Sequence, residues 1–379
     1  MVFPPELERA FRLIVFDRDG TAVTSRSADA TAVTRALDRV LAAGSRAVIV
    51  TGTSFPNVAR QLGSGIAAAH ARRLHVATHR GSEVFGFDRR GEPVLLWRRV
   101  ATAAEDQALD RIAAGVKARL ERLTGLSIEV VSNRLNRRKI DLIPEPAWRD
   151  PPKSALTELL AATEARLRGA GLHHGVRAAF ELTQQIAREV GLEAACVTSD
   201  VKHIEVGLTD KADAVAYVMR EIAGPLRIAV EDVLVLGDEL GSIGDYQGSD
   251  SLMLTVPEIV GATVVSVGPE PSGVPPGVFH LGGGPERFTA ILEQQLASMA
   301  LAGAFAIPRD AAWLIDEPGF DVAREHEIES CLAIANGYVG ARGSIAEGTS
   351  VSRPATFLAG AFELSSDPSP VPELLVMPD

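Results

Sequence analysis

A chain of 379 residues is about two and a half times the length of an ordinary domain, so two or three domains are expected. Its residues are 46% hydrophobic, 23% charged and 5% aromatic, which excludes wholesale disorder. A net charge of −11 repels phosphate backbones, no apolar run is long enough to span a bilayer, and the N-terminus lacks the features of a signal peptide. The expectation is a cytoplasmic protein with no nucleic-acid or membrane partner. Cys196 and Cys331 are too few for a disulfide framework or a Cys-based zinc site, and both are expected to be buried thiols. The eight histidines show no H-E-x-x-H spacing, and neighbours His173 and His174 would diverge on any regular element.

In chain order, the apolar run Leu13 to Phe16 opens into the polar stretch Asp17-Arg18-Asp19-Gly20-Thr21, the pattern of a buried strand ending in a loop. Val33, Ala36, Leu37, Val40 and Leu41 share one helical face before Gly44. A second apolar run, Ala47 to Val50, leads to Thr51-Gly52-Thr53-Ser54 and a helix with Pro56 near its start and Gly63 at its end. Strand, helix, strand, helix predicts a parallel α/β sheet. Strands are expected at Leu74 to Ala77, Glu83 to Phe87 and Pro93 to Trp97, with a turn at Asp88 to Gly91. Residues 100–200 change texture: a helix near 103–123, strands near Ile128 to Val131 and Lys139 to Ile143, and a helix near 153–170 predict an α+β insert with its own sheet. The parallel pattern resumes with a helix from Lys211 to Ile222, strands Val233 to Leu236 and Thr263 to Val267, and a helix near 285–299. The expected domains are therefore a core at 1–87 and 201–300, an inserted cap at 88–200, a linker at 301–312 and a C-terminal segment at 313–379 that is rich in β pattern.

Three polar clusters sit at the C-terminal ends of apolar strands: Asp17 with Asp19, Thr51 to Ser54, and Asp238 with Glu239. In an open α/β sheet these ends line one crevice, the usual ligand site. Carboxylates gathered there need a cation, and oxygen donors without His or Cys favour Mg²⁺, which commonly shares a substrate phosphate. Phosphoryl chemistry follows, with Asp17 as nucleophile, Asp19 as general acid and base, and Thr51, Gly52 and Thr53 holding phosphoryl oxygens at a helix start. An isolated D-x-D-G-T is also an ordinary turn former, and the companion clusters are what weigh against that reading. Lys211 lies between Asp210 and Asp213 in a first helical turn, where a cation opposes the helix dipole, so it either pairs locally or neutralises the nucleophile and the phosphoryl group.

The motifs D-R-D-G-T at Asp17, Thr51, Lys211 and Gly237-Asp238, followed by Ser249-Asp250-Ser251-Leu252-Met253-Leu254, resemble the four motifs of the haloacid dehalogenase superfamily over roughly residues 10–300. The insert between the second and third motifs is similar to the type-two cap of its sugar-phosphate phosphatases and phosphomannomutases. The resemblance implies a Rossmann-like core, an aspartyl-phosphate intermediate, and a Mg²⁺ held by Asp17, Asp19 (through its carbonyl), Asp238 and one further acid. That last ligand is Asp250, Asp245 or Glu239, because the spacer to Asp250 is longer than the compact G-D-x-x-N-D form. In the insert, Arg134, Arg137, Arg138 and Lys139 are either substrate contacts or a solvated strand edge, and Thr198, Ser199, Asp200 and His203 are weaker candidates for sugar hydroxyls.

The tail from Phe320 through NGYVGARG to Thr356-Phe357-Leu358-Ala359-Gly360-Ala361-Phe362-Glu363 resembles the start of the N-terminal domain of glycoside hydrolase family 65, a family of disaccharide phosphorylases and hydrolases. The carboxylate that this family uses for catalysis lies in a later barrel, so glycosidase chemistry is not expected here, and the segment is expected to be a site of association. The leading expectation is a Mg²⁺-dependent phosphatase of a sugar phosphate, trehalose 6-phosphate or a related disaccharide phosphate first. The alternatives are a phosphomannomutase-like mutase and a non-catalytic remnant of a phosphorylase fusion.

Overall fold

The structure is a computed structural model and describes residues 3–25, 27–149, 151, 155–243, 246–301, 322–331, 333–335, 339–344, 352–363 and 373–377. The chain divides into two compact units, Met1–Ile307 and Pro308–Asp379.

In the first unit the chain runs β1 (Leu13–Asp17), α1 (Thr31–Ala42), β2 (Arg46–Val50), α2 (Phe55–Leu62), α3 (Ala68–Ala71), β3 (Leu74–Thr78), β4 (Glu83–Phe87) and β5 (Pro93–Arg98). The cap follows as α4 (Ala103–Thr124), β6 (Glu129–Arg134), β7 (Arg137–Asp141), α5 (Leu156–Gly169), α6 (Gly175–Val190), β8 (Cys196–Ser199) and β9 (His203–Gly207). The return to the core is α7 (Lys211–Tyr217), β10 (Val233–Gly237), the small hairpin β11 (Ser242–Ile243) and β12 (Tyr246–Gln247), then β13 (Thr263–Ser266), β14 (Val278–His280) and α8 (Gly284–Leu301).

Eight strands form the main sheet in the order β14-β13-β10-β1-β2-β3-β4-β5. The strands from β14 to β3 are parallel, and β4 and β5 are added antiparallel. Every residue of β1 and β10 is buried, as expected of strands covered on both faces. Their side chains alternate between two cores. Ile14 and Phe16 pack with Leu37 and Leu41 of α1 and Phe288 and Ile291 of α8; Leu13 and Val15 pack with Val215 of α7 and Val48, Val218 and Val235. Each such fully buried apolar side chain contributes about 1.5–3 kcal/mol. This is the expected fold class, an α/β fold with a Rossmann-like parallel core and an inserted α+β cap.

The cap has a four-stranded antiparallel sheet, β6-β7-β9-β8. Leu109, Ile112, Val116 and Leu120 of α4 pack against Ile140, Ile204 and Val206 of that sheet and against Val176 and Ile186 of α6. A capping box between Thr102 and Glu105 starts α4, and Gly125 in the left-handed region ends it. Two features depart from the sequence expectation. β5 pairs with β4 and extends the main sheet, so the core continues past residue 87: the turn at Asp88 to Gly91 closes a hairpin and does not open the cap. β8 and β9 belong to the cap sheet, so the chain re-enters the core after Gly207 and not at residue 201. The helix α6 was not foreseen.

The second unit contains α9 (Glu325–Cys331) and an antiparallel sheet of β15 (Ile334–Ala335), β16 (Val339–Arg342), β17 (Ala355–Glu363) and β18 (Glu373–Met377) in sequence order. Carboxylates of α9 hold residues that follow it: Glu325 accepts from Ser344 at 2.7 Å and Ser352 at 2.6 Å, and Glu329 accepts from the Arg353 amide at 2.9 Å. The segment's described strands are thus paired with one another, with Ile334 and Val339 exposed. Most of the expected 301–312 linker and residues 336–338 of NGYVGARG lie outside the described residues. The thiols differ from expectation, Cys196 being half-buried and Cys331 exposed, because Cys331 ends a short helix that presents it to solvent.

Candidate active site

Asp17 is the last residue of β1, and Asp238 follows the last residue of the neighbouring strand β10, so the parallel pairing sets their carboxylates side by side. Asp250 joins them from the segment after the β11–β12 hairpin, and one carboxylate oxygen from each of the three lies within 4.8 Å of the others. All three are buried. Gly20 makes the approach possible: its φ is +103°, and a Cβ there would run into the Asp238 carboxylate. Thr21 donates its hydroxyl to Asp238 Oδ1 at 3.0 Å.

Lys211, the first residue of α7, is buried with its ammonium 2.6 Å from Asp17 Oδ1 and in an ion pair with Asp250 Oδ1. Its helix is started by a reciprocal capping box between Asp210 and Asp213, so those acids satisfy backbone amides and Lys211 reaches the crevice instead of pairing locally. Asp250 Oδ2 accepts from the amides of Asp238 and Glu239 at 2.8 and 3.0 Å, which fixes the loop after β10. Burial, reinforced by Asp250 and Asp19, pushes the Asp17 carboxyl up to about 7 despite Lys211. Three buried carboxylates around one ammonium form a set of hard oxygen donors short of positive charge, which fits a divalent ion such as Mg²⁺. Asp17 and Asp238 are the best placed to hold it, since both Asp250 oxygens already serve Lys211 and the loop amides. Glu239 accepts from Ser249 at 3.0 Å, and Asp245 lies outside the described residues.

Asp19, two residues beyond Asp17, is partly exposed, ion-paired with Arg18 at 2.8 Å, and accepts from the Thr51 hydroxyl at 3.5 Å. Thr51 and Thr53 are buried, and the Thr53 amide donates to Thr51 Oγ1 at 3.2 Å, curling the loop before α2. Asp17, Asp19, Thr51, Lys211, Asp238 and Asp250 are therefore brought together at one end of the sheet.

The cap residues divide. Arg137 donates to the Gly52 carbonyl at 2.8 Å and pairs with Glu205 at 3.0 Å; Lys139 pairs with Glu205 at 2.5 Å and with Asp200 at 3.4 Å. Arg134, paired with Arg137 across β6 and β7, has a buried Nε without a hydrogen-bond partner. Arg138 goes elsewhere: side chains alternate along β7, and its guanidinium turns to α4, where Asp106 and Asp110 bind it at 2.7 and 2.6 Å. It is removed from the candidate site. Thr198 faces the crevice and accepts from Arg80, whereas Ser199 accepts from the Val201 amide and Asp200 holds His203.

Arg80 and Glu205 were missed by sequence reasoning. Glu205 is 1% exposed, and although burial would raise its carboxyl, Arg137, Arg80 and Lys139 together hold it well below the usual carboxylate range. Arg80 comes from the turn after β3, more than a hundred residues from its cap partners, and only a left-handed backbone at a non-glycine residue brings it here.

Comparison with solved structures gives IMP-bound IMP-nucleotidase of Plasmodium falciparum: a point mutant at TM-score 0.51 and 12% identity, covering 76% of this chain and 68% of that one. Its N-terminally truncated form has TM-score 0.50 with the same identity and coverage. The C-terminal domain of C. albicans trehalose-6-phosphate phosphatase is similar at TM-score 0.47 and 18% identity, covering 78% of this chain and 95% of that one. At these identities the nucleotidase likeness is one of fold. The family model for the N-terminal domain of glycosyl hydrolase family 65 matches residues 315–374. No curated protein sequence matches the chain. Among the described residues no helix is long and apolar enough to cross a membrane.

Proposed function

We propose that the chain is a Mg²⁺-dependent phosphatase that hydrolyses a sugar phosphate through an aspartyl-phosphate. The observation that carries this reading is the buried cluster of Asp17, Asp238 and Asp250 around Lys211 at the C-terminal ends of β1 and β10. In the first step a carboxylate oxygen of Asp17 bonds to phosphorus while the bond from phosphorus to the sugar oxygen breaks, and Asp19 gives that oxygen its proton. In the second, Asp19 takes a proton from water, the water oxygen bonds to phosphorus, and the bond to Asp17 breaks to release inorganic phosphate. Lys211 holds Asp17 in place and offsets its charge and that of the phosphoryl group; Thr51, Gly52 and Thr53 orient the phosphoryl oxygens. A Mg²⁺ held by Asp17, the Asp19 carbonyl and Asp238, with Asp250 beside them, would supply charge stabilisation to the phosphoryl oxygens.

The substrate proposal, trehalose 6-phosphate or a related disaccharide phosphate, is supported by the match of residues 315–374 to the glycosyl hydrolase family 65 N-terminal domain, a family that the sequence resemblance links to disaccharides. The test is phosphate release with and without Mg²⁺ from trehalose 6-phosphate, sucrose 6-phosphate, glucose 6-phosphate and mannose phosphates. One preferred, metal-dependent substrate is expected. No release from any of them by folded, Mg²⁺-loaded protein would overturn the phosphatase reading in favour of a mutase or an idle remnant.

A further inference from the structure

Three successive residues after β3 have left-handed backbone: His79 at φ 51°, Arg80 at φ 54° and Gly81 at φ 87°. Non-glycine side chains avoid this region, so two in a row mark a strained turn. Two hydrogen bonds hold it, from the His79 amide to the Thr53 carbonyl and from the Arg80 amide to the Thr51 carbonyl, both 3.0 Å. The strained turn is thus laced to both ends of the Thr51-Gly52-Thr53 loop.

The turn delivers a buried guanidinium to Gly52. A Cβ added to Gly52 would lie 3.7 Å from Arg80 Nε and 3.6 Å from Arg137 Nη1, so both cations stand over the bare Cα of the phosphoryl loop. The cap fixes the Arg80 fork: Nη1 donates to Thr198 Oγ1 at 2.9 Å, and Nε lies 3.1 Å from Glu205. Glu205 also serves Arg137 and Lys139, which leaves three cations on one carboxylate, with Asp200 sharing only Lys139 among them. The charge of Arg80 is also felt at Asp250 and Glu239 on the floor of the crevice. A site with surplus positive charge beside Thr51 and Gly52, and a buried Arg137 Nε that has no hydrogen-bond partner, is built to accept an anion.

We infer that Arg80 is a direct ligand of the substrate's phosphoryl group, a cation supplied by the core but aimed by Thr198 and Glu205 of the cap. The inference rests on the phosphatase reading and adds a residue to it.

The test is calorimetric titration of inorganic phosphate into the Mg²⁺-loaded full-length chain, as wild type, Arg80→Gly and Glu205→Gln. Glycine suits the backbone at residue 80, so Arg80→Gly removes the guanidinium while relieving the turn. Its phosphate affinity is expected to fall about tenfold to a hundredfold, and guanidinium ion added to that variant to restore part of it. Glu205→Gln, which loosens the cap contact but keeps the cation, is expected to stay within about threefold of wild type. Equal losses in the two variants would make Arg80 a cap latch only and overturn the inference, as would unchanged affinity in Arg80→Gly or no phosphate binding by wild type. Wild type that binds phosphate through Arg80 yet hydrolyses no sugar phosphate would instead sink the phosphatase reading alone.

Discussion

On the floor of the crevice three clustered carboxylates, Asp17, Asp238 and Asp250, share one ammonium, Lys211, which pairs with Asp17 and Asp250; on the cap side three cations, Arg80, Arg137 and Lys139, surround one carboxylate, Glu205. Asp17 and Glu205 are both buried acids touching a cation, yet they respond in opposite directions. One ammonium does not outweigh burial and the neighbouring acids at Asp17, whose carboxyl rises to about 7. Three cations do outweigh burial at Glu205, whose carboxyl falls. The difference teaches that burial alone does not decide the state of a group here; the count of opposite charges at contact distance does. It also shows that each cluster lacks counter-charge, the floor a cation and the cap side an anion, and a metal phosphate complex supplies both.

The sharpest way to break this comparison is on the floor. Asp17→Asn should lower phosphate release by about 10⁴-fold or more, because the proposed phosphoryl intermediate forms on that carboxylate. The fold should survive, since Asn keeps the shape of the side chain and Lys211 retains its ion pair with Asp250. Measurable turnover in a folded Asp17→Asn protein would remove Asp17 as nucleophile and leave the floor as a charge cluster without chemistry.

On the cap side the expected effect is smaller and differently divided. Arg137→Ala should raise KM for the preferred sugar phosphate about tenfold to a hundredfold, and less for a small phosphate ester that does not reach the cap. Equal changes for both substrates would place Arg137 in the phosphoryl loop alone and merge the two regions into one.

Asp17 and Asp238 were legible in the sequence because they follow apolar strands directly, so strand then carboxylate maps onto one end of a parallel sheet, whereas Asp250, which comes after the β11–β12 hairpin, stayed one of three candidates. Lys211 was legible for the same reason, as a cation misplaced at a helix start. Arg80 was not, since nothing in Thr78-His79-Arg80-Gly81 announces two left-handed residues before the glycine, and its partners Thr198 and Glu205 are set by the cap's folding. Arg137 and Arg138 were read as one basic run, although strand alternation sends them to opposite faces; which face met the core depended on where α4 packs. The β5 strand was foreseen but placed in the cap, because a polar turn looks the same whether it closes a hairpin or opens a domain.

Acid titration sharpens the cap side further. The folded carboxyl of Glu205 lies below its ordinary value of 4.5, so its ion pairs contribute fully above that pH, and the contribution is lost as pH falls through 4.5 toward the folded value. Urea midpoints measured from pH 6 downward should therefore decline more steeply in wild type than in Glu205→Gln below about pH 4.5. Parallel declines would mean that the three cations do not stabilise the ionised carboxylate. The smallest effect is expected one residue along β7. Arg138 is itself buried, but its partners Asp106 and Asp110 are 53% and 56% exposed, so water screens the acid side of each pair and keeps the contribution small. Arg138→Ala should therefore cost about 1 kcal/mol of stability or less, with KM and kcat within about twofold of wild type. A KM change comparable to that of Arg137→Ala would mean that the β7 strand presents both arginines to the crevice, and the face assignment on which the comparison of floor and cap rests would have to be withdrawn.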